Sequence, residues 1–350
     1  MNTKSISNYP LKVEWLLTRR CNLRCEYCKI VDNSSLAGEE LTFEQVCMGI
    51  DNIQKVFPGI AIVFFGGEPT VLNWLPDLVR YCELRKIKYA IISNGVRVVK
   101  DEEFFNRLVS AGISNWSVSI DSLSDLRITD SAIKSKSGFK SLLKFRDKGV
   151  RDLVSCITVT DYNIKEIPAI IEELTKNGVW SITTPLQVGD GTFEYSANTP
   201  GWQCKDQSKV LELAEKLKEM ALSGKYLMHN DPGYYDYWER YFIKQDWKCQ
   251  SKGTLTIDAD GSMKRCVDRK AGLGHLNILN LVTEEAWKKY DKLVNSEFEC
   301  KGCFWDPAFE ASTRQRLWDR KTAIDSFKHN LTSSQISKLL PEAQIWFKGV

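Results

Sequence analysis

The chain has 350 residues, of which 43% are hydrophobic, so it is long enough for one large domain or two ordinary domains with apolar cores. Its 48 basic and 45 acidic residues leave a formal net charge of +3, unlike the strong basic field of a nucleic-acid-binding protein. No apolar run approaches the roughly 18 residues that cross a bilayer, and the N-terminal stretch is short and polar, so we expect a cytoplasmic protein without nucleic-acid or membrane partners.

Short apolar runs alternate with helical patterns from Leu11 to about Thr184, which is typical of repeated βα units and a parallel sheet. The predicted strands lie near 12–17, 60–65, 88–92, 115–120, 153–159 and 179–184. The predicted helices lie near 43–56, 71–84, 102–111, 137–148 and 164–177. Six strands suit an open barrel, whose functional sites collect at the C-terminal ends of the strands.

Three cysteines, Cys21, Cys25 and Cys28, follow the first predicted strand within eight residues. A loop leaving a strand can wrap three thiolates around one face of a 4Fe-4S cluster, and the missing fourth ligand leaves one iron open to a small molecule. A zinc knuckle would need a fourth ligand close by, but Cys47 lies in a predicted helix. A disulfide is not expected in a chain that lacks a secretory signal.

This cysteine spacing, with Tyr27 directly before Cys28, resembles the radical S-adenosylmethionine (radical SAM) superfamily. The resemblance implies a partial (β/α)6 TIM-like barrel, a SAM-binding 4Fe-4S cluster, and a reducing partner such as flavodoxin or ferredoxin. In that family the open iron chelates the methionine part of SAM. The reduced cluster then cleaves SAM to a 5'-deoxyadenosyl radical that takes a hydrogen atom from substrate.

Gly66, Gly67 and Glu68 follow the second predicted strand. Two glycines let the backbone approach a ligand closely, and a carboxylate there can accept hydrogen bonds from an ammonium group. The resemblance implies that this segment holds the SAM amino group. An ordinary turn would explain the two glycines, but it explains their position after the second strand poorly.

Polar side chains also end the third and fourth predicted strands: Asn94, Ser119 and Asp121. Ser119 and Asp121 point the same way if the strand continues through them. The resemblance implies contacts from these residues to the ribose and carboxylate of SAM. Helix capping is the alternative role for Ser and Asp at such positions. Arg127 is a further candidate for the SAM carboxylate, and a solvated surface arginine is the alternative.

Four later cysteines form a second pattern: Cys249, Cys266, Cys300 and Cys303. Residues 254–264 are predicted to form a hairpin with an Asp-Gly turn, which would bring Cys249 and Cys266 together. Here the chain resembles the SPASM/twitch extension of radical SAM enzymes. Because no cysteine follows Cys303, the shorter twitch form with one auxiliary 4Fe-4S cluster fits better than a full SPASM domain. A structural zinc site is the alternative for these four cysteines.

The remaining cysteines are interpreted as structural. Cys47, Cys82 and Cys156 are predicted core residues. Cys204 is interpreted as a buried or loop cysteine, with a spare ligand or a catalytic thiol as the alternatives. The aromatic stretch 231–242 either lines a substrate pocket or forms a packed helical face, and the sequence favours neither.

We therefore predict a barrel over 11–190, a connecting segment over 191–245, an auxiliary-cluster domain over 246–306 and C-terminal helices over 307–350. The predicted function is hydrogen abstraction followed by a two-electron oxidation or crosslink, on a biosynthetic intermediate or a peptide. Only 20 residues precede Cys21, from which we expect no N-terminal domain that grips a leader peptide. The alternatives are a non-catalytic iron-sulfur electron carrier and a zinc-binding interaction module.

Overall fold

The computed structural model describes residues 12–28, 40–123, 130–186, 204–244, 246–248, 254–264, 272–281 and 283–295. The four cysteines of the predicted auxiliary site, Arg127 and the predicted C-terminal helices lie outside these residues. In the described ranges, no helix combines the length and the apolar composition needed to cross a membrane.

Six parallel strands form the first part of the sheet and neighbour one another in chain order. They are β1 (Lys12–Thr18), β2 (Ile62–Gly66), β3 (Tyr89–Ser93), β4 (Asn115–Ser119), β5 (Asp152–Val159) and β6 (Trp180–Pro185). The helices up to β6 are α1 (Phe43–Val56), α2 (Leu75–Leu84), α3 (Val96–Lys100), α4 (Glu102–Ser110), α5 (Asp130–Arg146) and α6 (Ile167–Lys176). This is a partial (β/α)6 TIM-like barrel, as predicted.

The core lies between the sheet and its helices because alternate strand residues point to one face. On β1, Val13 and Trp15 are fully buried, and the Trp15 ring lies 6.3 Å from the ring of Phe64 on β2. On β4, Trp116 packs against Phe145 of α5 with ring centroids 4.7 Å apart. These aromatic contacts pack the strands against one another and against the helices. Polar residues lie at the ends of the strands.

Helix α5 begins at Asp130, seven residues before the predicted start. Its first turns contain Lys134 and Ser135, which are 7% and 3% exposed although the local sequence is polar. The Ser135 hydroxyl accepts a hydrogen bond from the backbone N–H of Asp121, at 2.9 Å. Contacts with the end of β4 therefore stabilise a helical turn that the apolar pattern does not predict.

Three further strands extend the sheet beyond β1: β7 (Thr254–Ile257), β8 (Ser262–Lys264) and β9 (Gly272–Asn277). β7 is parallel to β1, and β7–β8 form the predicted antiparallel hairpin, with Gly261 at a φ of +80° in its turn. The pairing with β1 and the strand β9 were not predicted. The extension therefore continues the barrel sheet, next to the strand that precedes the cysteine loop.

Helix α1 joins the barrel to this extension. The Asn52 side chain donates a hydrogen bond to the carbonyl oxygen of Ile278, at 3.1 Å. Phe57 packs edge-on against Trp287 of α9 (Glu284–Asn295), with ring centroids 5.0 Å apart. Buried contacts from α1 and from the residue that follows it thus hold the two parts together.

The connecting segment covers the other edge of the sheet. After α7 (Gln207–Leu222), the backbone N–H of Ser181 donates to the carbonyl oxygen of Leu227, at 2.8 Å. The side-chain oxygen of Asn230 accepts from the backbone N–H of Thr183, at 2.7 Å. Backbone N–H groups of β6 therefore donate hydrogen bonds to the connecting segment.

The aromatic stretch is a packed face. It forms α8 (Pro232–Asp236) and a π-helical turn at Arg240–Lys244. Tyr234 and Trp238 are fully buried and Tyr235 is 3% exposed. Of the two interpretations of this stretch, these side chains therefore support packing and not the lining of a pocket.

Candidate active site

The predicted cluster cysteines lie on one loop directly after β1. The backbone N–H of Cys28 donates to the carbonyl oxygen of Cys25, at 3.0 Å, and the N–H of Leu23 donates to the Cys21 sulfur, at 3.4 Å. The pKa of the Cys21 thiol is raised to about 11 and that of Cys25 to about 12, mainly by burial, and the neighbouring Cys28 contributes to both increases. Without a metal these two thiols are protonated at neutral pH.

The described residues contain no preassembled site for a single metal ion: no three Cys, His, Asp or Glu side chains among them converge closely enough to hold one. The chemistry of the donor set nevertheless fits an iron-sulfur cluster, because the thiols are half-buried, lie on one loop and interact electrostatically with one another. Loading a cluster would release the thiol protons.

Gly66 and Gly67 bring the end of β2 against the start of the cysteine loop. The Gly67 N–H donates to the carbonyl oxygen of Thr18, at 2.7 Å, and the Glu68 N–H donates to that of Arg20, at 2.8 Å. A Cβ atom on Gly66 would lie 2.4 Å from the Thr18 oxygen, and one on Gly67 would lie 2.2 Å from the Arg20 oxygen. The close approach predicted for these glycines is therefore made to the loop backbone.

The Glu68 carboxylate is buried and accepts four hydrogen bonds from the protein. Its Oε1 accepts from the Thr70 backbone N–H at 3.0 Å, the Thr70 hydroxyl at 2.6 Å and the Ser93 hydroxyl at 2.8 Å. Its Oε2 accepts from the Asn94 N–H, at 2.6 Å. Burial raises the carboxyl pKa, and these hydrogen bonds oppose the rise. Glu68 thus ties the end of β2 to the end of β3, and only Oε2 has capacity for a further donor.

Asn94 contacts the cysteine loop directly. Its amide nitrogen donates to Oδ1 of Asn22, at 2.7 Å, and lies 4.0 Å from the Cys21 sulfur. Its Oδ1 accepts from the N–H of Val96, at 3.0 Å, at the start of α3. The end of β3 is therefore joined to the loop beside Cys21 and to the first residue of α3.

Asp121 lies in a buried cluster with Tyr27 and Lys134. The Tyr27 hydroxyl donates to Asp121 Oδ2, and the Lys134 ammonium donates to the same oxygen at 2.5 Å and also to the Tyr27 hydroxyl oxygen. The backbone N–H of Thr158 donates to Oδ1, at 3.0 Å. Sequence reasoning missed Lys134, because a polar residue in a polar helical turn gives no local sign that it is buried.

Ser119 is the last residue of β4, is half-buried and lies opposite Cys156 of β5 in the strand register. Cys156 is itself half-buried and is not part of the hydrophobic core, whereas Cys82 is fully buried as predicted. The prediction of a core position is therefore wrong for Cys156, and also for Cys47 of α1, which is half-buried and outside the core. Successive residues of a β-strand point to opposite faces of the sheet, so an apolar stretch does not by itself show which of its side chains face the core.

A second buried ion cluster links the cysteine loop to the β7–β8 hairpin. Asp258 Oδ2 forms ion pairs with both Arg19 and Lys264. The side chains of Arg19, Asp258 and Lys264 are 3%, 7% and 8% exposed. Arg19 stands two residues before Cys21, and Lys264 stands two residues before Cys266. One carboxylate thus connects the base of the first cysteine motif with the strand that leads to the second.

Comparison with known proteins agrees with this arrangement of cysteine loop and strand ends. A family model described as the radical SAM superfamily matches residues 15–174, which include the cysteine loop, part of β1 and the strands β2 to β5. Residues 15–174 are therefore a radical SAM domain. This confirms the resemblance carried by Cys21, Cys25 and Cys28, and it implies a 4Fe-4S cluster and SAM as cofactors.

The relatives of this chain carry names that describe different reactions. It is 29% identical to the Fe-coproporphyrin III synthase of Methanosarcina barkeri over 172 residues, covering 48% of this chain and 41% of that relative. It is 25% identical to the GTP 3',8-cyclase of Clostridium perfringens (strain SM101 / Type A) over 287 residues, covering 76% of this chain and 84% of that relative. The chain therefore spans less than half of the first relative and most of the second.

Solved structures support the fold. The crystal structure of SuiB from Streptococcus suis superposes with a TM-score of 0.56 at 15% identity, covering 80% of this chain and 67% of SuiB. SuiB bound to S-adenosylmethionine superposes with a TM-score of 0.53 at 13% identity, covering 80% of this chain and 65% of that one. At these identities the likeness concerns the fold alone.

Proposed function

We propose that this radical SAM enzyme uses Cys21, Cys25 and Cys28 to hold a 4Fe-4S cluster that binds SAM. The observation that carries the proposal is the attachment of the cysteine loop to three neighbouring strand ends: β2 through Glu68, β3 through Asn94 and β4 through Asp121. A loop held in this way presents its thiols over the C-terminal edge of the barrel, where sites of such barrels collect. The cluster and SAM together would supply a 5'-deoxyadenosyl radical.

The protein residues bind and orient SAM in this proposal. Glu68 Oε2 has room for one further donor, which suits the ammonium of SAM. Gly66 and Gly67 shape the approach to it, and Ser119 stands half-buried at the neighbouring strand end. The ribose and carboxylate contacts proposed for Asn94 and Asp121 require exchange of their present partners, Asn22, Tyr27 and Lys134.

We further propose that an auxiliary 4Fe-4S cluster is bound by Cys249, Cys266, Cys300 and Cys303. The β7–β8 hairpin supports this proposal, because β7 begins five residues after Cys249 and β8 ends two residues before Cys266. Four thiolates leave no iron open, so such a cluster would accept the electron left after hydrogen abstraction. The net reaction would then be a two-electron oxidation or a crosslink, and the enzyme an oxidoreductase or maturase.

The substrate is proposed to be a small biosynthetic intermediate or a peptide. The two relatives carry the names of a porphyrin synthase and a GTP cyclase, so their names do not favour one class of substrate. A small electron-transfer protein such as flavodoxin or ferredoxin would supply the reducing electron. The cofactor supplies the radical chemistry, and the barrel supplies binding and exclusion of water.

The first experiment measures iron and SAM cleavage in the anaerobically reconstituted protein. We expect about eight irons per chain, and about four after joint substitution of Cys21, Cys25 and Cys28 by Ala. Retention of all iron in that variant would remove these cysteines as ligands. Bound iron without SAM cleavage would favour the electron carrier, and bound zinc would favour the interaction module.

A second experiment tests the auxiliary cluster. The Cys249→Ala, Cys266→Ala double variant, isolated in soluble form with only the first cluster, is expected to cleave SAM to 5'-deoxyadenosine but to form little oxidised product. Wild-type yields of product from that variant would contradict the oxidative part of the proposal. Measuring deoxyadenosine and product in the same sample separates loss of the radical step from loss of the later step.

A further inference from the structure

The buried cluster of Tyr27, Asp121 and Lys134 places two opposite charges beside the cysteine loop. The side chains of Asp121 and Lys134 are each 9% exposed, and their charged atoms are 2.5 Å apart. The Lys134 ammonium also lies 4.9 Å from the centroid of the Tyr27 ring, and Tyr27 stands between Cys25 and Cys28 in the sequence. Both charges therefore lie next to the segment that carries two of the proposed ligands.

The two charges have opposite sign, and both groups hydrogen-bond with the hydroxyl of Tyr27, which lies between Cys25 and Cys28 in the sequence. Since both groups are shielded from water, their fields are screened much less than those of surface charges. The negative charge on a cluster held by Cys25 increases when it takes up an electron. A nearby ammonium stabilises that reduced state, and a nearby carboxylate destabilises it.

We propose that Lys134 and Asp121 are positioning residues that set the reduction potential of the cluster at Cys21, Cys25 and Cys28, in opposite directions, while Tyr27 anchors the loop to them. This inference rests on the proposed cluster site. The Asp121–Lys134 pair is nearly neutral as a unit, so each charge offsets the effect of the other on the cluster. Removing one partner exposes the effect of the remaining one.

The test is a potentiometric titration with dithionite, followed by electron paramagnetic resonance (EPR) of the reduced cluster in the full chain. The first cluster is identified as the signal that changes when SAM is added. Lys134→Gln is expected to shift its potential to more negative values, because the Asp121 carboxylate is left uncompensated. Asp121→Asn is expected to shift it to more positive values, because the Lys134 ammonium is left uncompensated.

Two variants serve as controls. Lys134→Arg keeps the charge and is expected to retain the wild-type potential. Lys144→Gln removes a lysine from the same helix whose ammonium pairs with the exposed Glu102 at 2.6 Å, and is expected to leave the potential unchanged. A purely structural role would not give shifts of opposite sign. Shifts of the same sign in Lys134→Gln and Asp121→Asn, or none in either, would overturn the inference.

Loss of the cluster is also informative. If Lys134→Gln binds no iron at the first site, Lys134→Arg decides the matter. Retained iron with a wild-type potential supports the role of the charge, and loss of iron in both variants overturns it. Failure of the underlying cluster proposal is distinguishable, because iron content would then be unaffected by substitution of Cys21, Cys25 and Cys28.

Discussion

Substitution of Glu68 separates a structural role of its carboxylate from a role in SAM binding. The carboxylate accepts hydrogen bonds from the backbone N–H groups of Thr70 and Asn94 and from the hydroxyls of Thr70 and Ser93. In Glu68→Ala the hydroxyls can rotate toward other acceptors, but the two backbone N–H groups lose their partners. At about 1–3 kcal/mol for each buried unsatisfied donor, the free energy of unfolding is expected to fall by about 2–6 kcal/mol.

Glu68→Gln is the matched variant. Its amide oxygen can replace Oε1, but its amide nitrogen would face the Asn94 N–H, so we expect a loss of about 1–3 kcal/mol. If Oε2 also accepts the SAM ammonium, this variant should weaken SAM binding by about tenfold to a hundredfold through loss of a charge-assisted contact. Urea denaturation measures the stability of both variants, and direct binding to the reconstituted protein measures SAM affinity.

The outcomes distinguish the two roles of Glu68. Stability of Glu68→Ala within about 0.5 kcal/mol of wild type would refute the structural argument, since a loss that small is ordinary for surface substitutions. SAM affinity of Glu68→Gln equal to wild type would remove Glu68 from the ligand-binding residues while leaving its structural role intact. Both measurements use the same folded protein, so destabilisation and lost binding are not confused.

Two further substitutions test the attachment of the cysteine loop. Gly67→Ala places a Cβ atom 2.2 Å from the backbone oxygen of Arg20, so we expect a loss of about 1–3 kcal/mol and reduced iron binding. Gly59 has a φ of +78° and open surroundings, so Gly59→Ala is the control: it should lose about 1–2 kcal/mol of stability from backbone strain and keep its iron. Equal loss of iron in Gly67→Ala and Gly59→Ala would contradict the argument. Asp258→Asn leaves Arg19 and Lys264 without their shared buried counter-charge, so the free energy of unfolding is expected to fall by about 3–5 kcal/mol. Adding Lys264→Met is expected to restore part of this loss, because one of the two unpaired buried charges is then removed. An unchanged urea midpoint in Asp258→Asn would contradict this expectation.

The sequence by itself determined the elements whose causes are local. The predicted bounds of α1 match the observed Phe43–Val56, because its start is fixed by a capping box in which Thr42 and Gln45 hydrogen-bond reciprocally. The β7–β8 hairpin follows from alternating residues on either side of a turn at Gly261. The spacing of Cys21, Cys25 and Cys28 was enough to predict the family, because binding an open cluster constrains that spacing directly.

Only the tertiary structure decided which partners the polar residues have. Glu68 and Asp121 were predicted to face a ligand, but their acceptors are largely used by Ser93, Lys134 and other protein donors. The ion pair between Arg19 and Asp258 joins residues 239 positions apart, and the pairing of β7 with β1 is similarly remote in sequence. Such contacts depend on strand order, register and helix placement, which the chain reaches only when the whole sheet has formed.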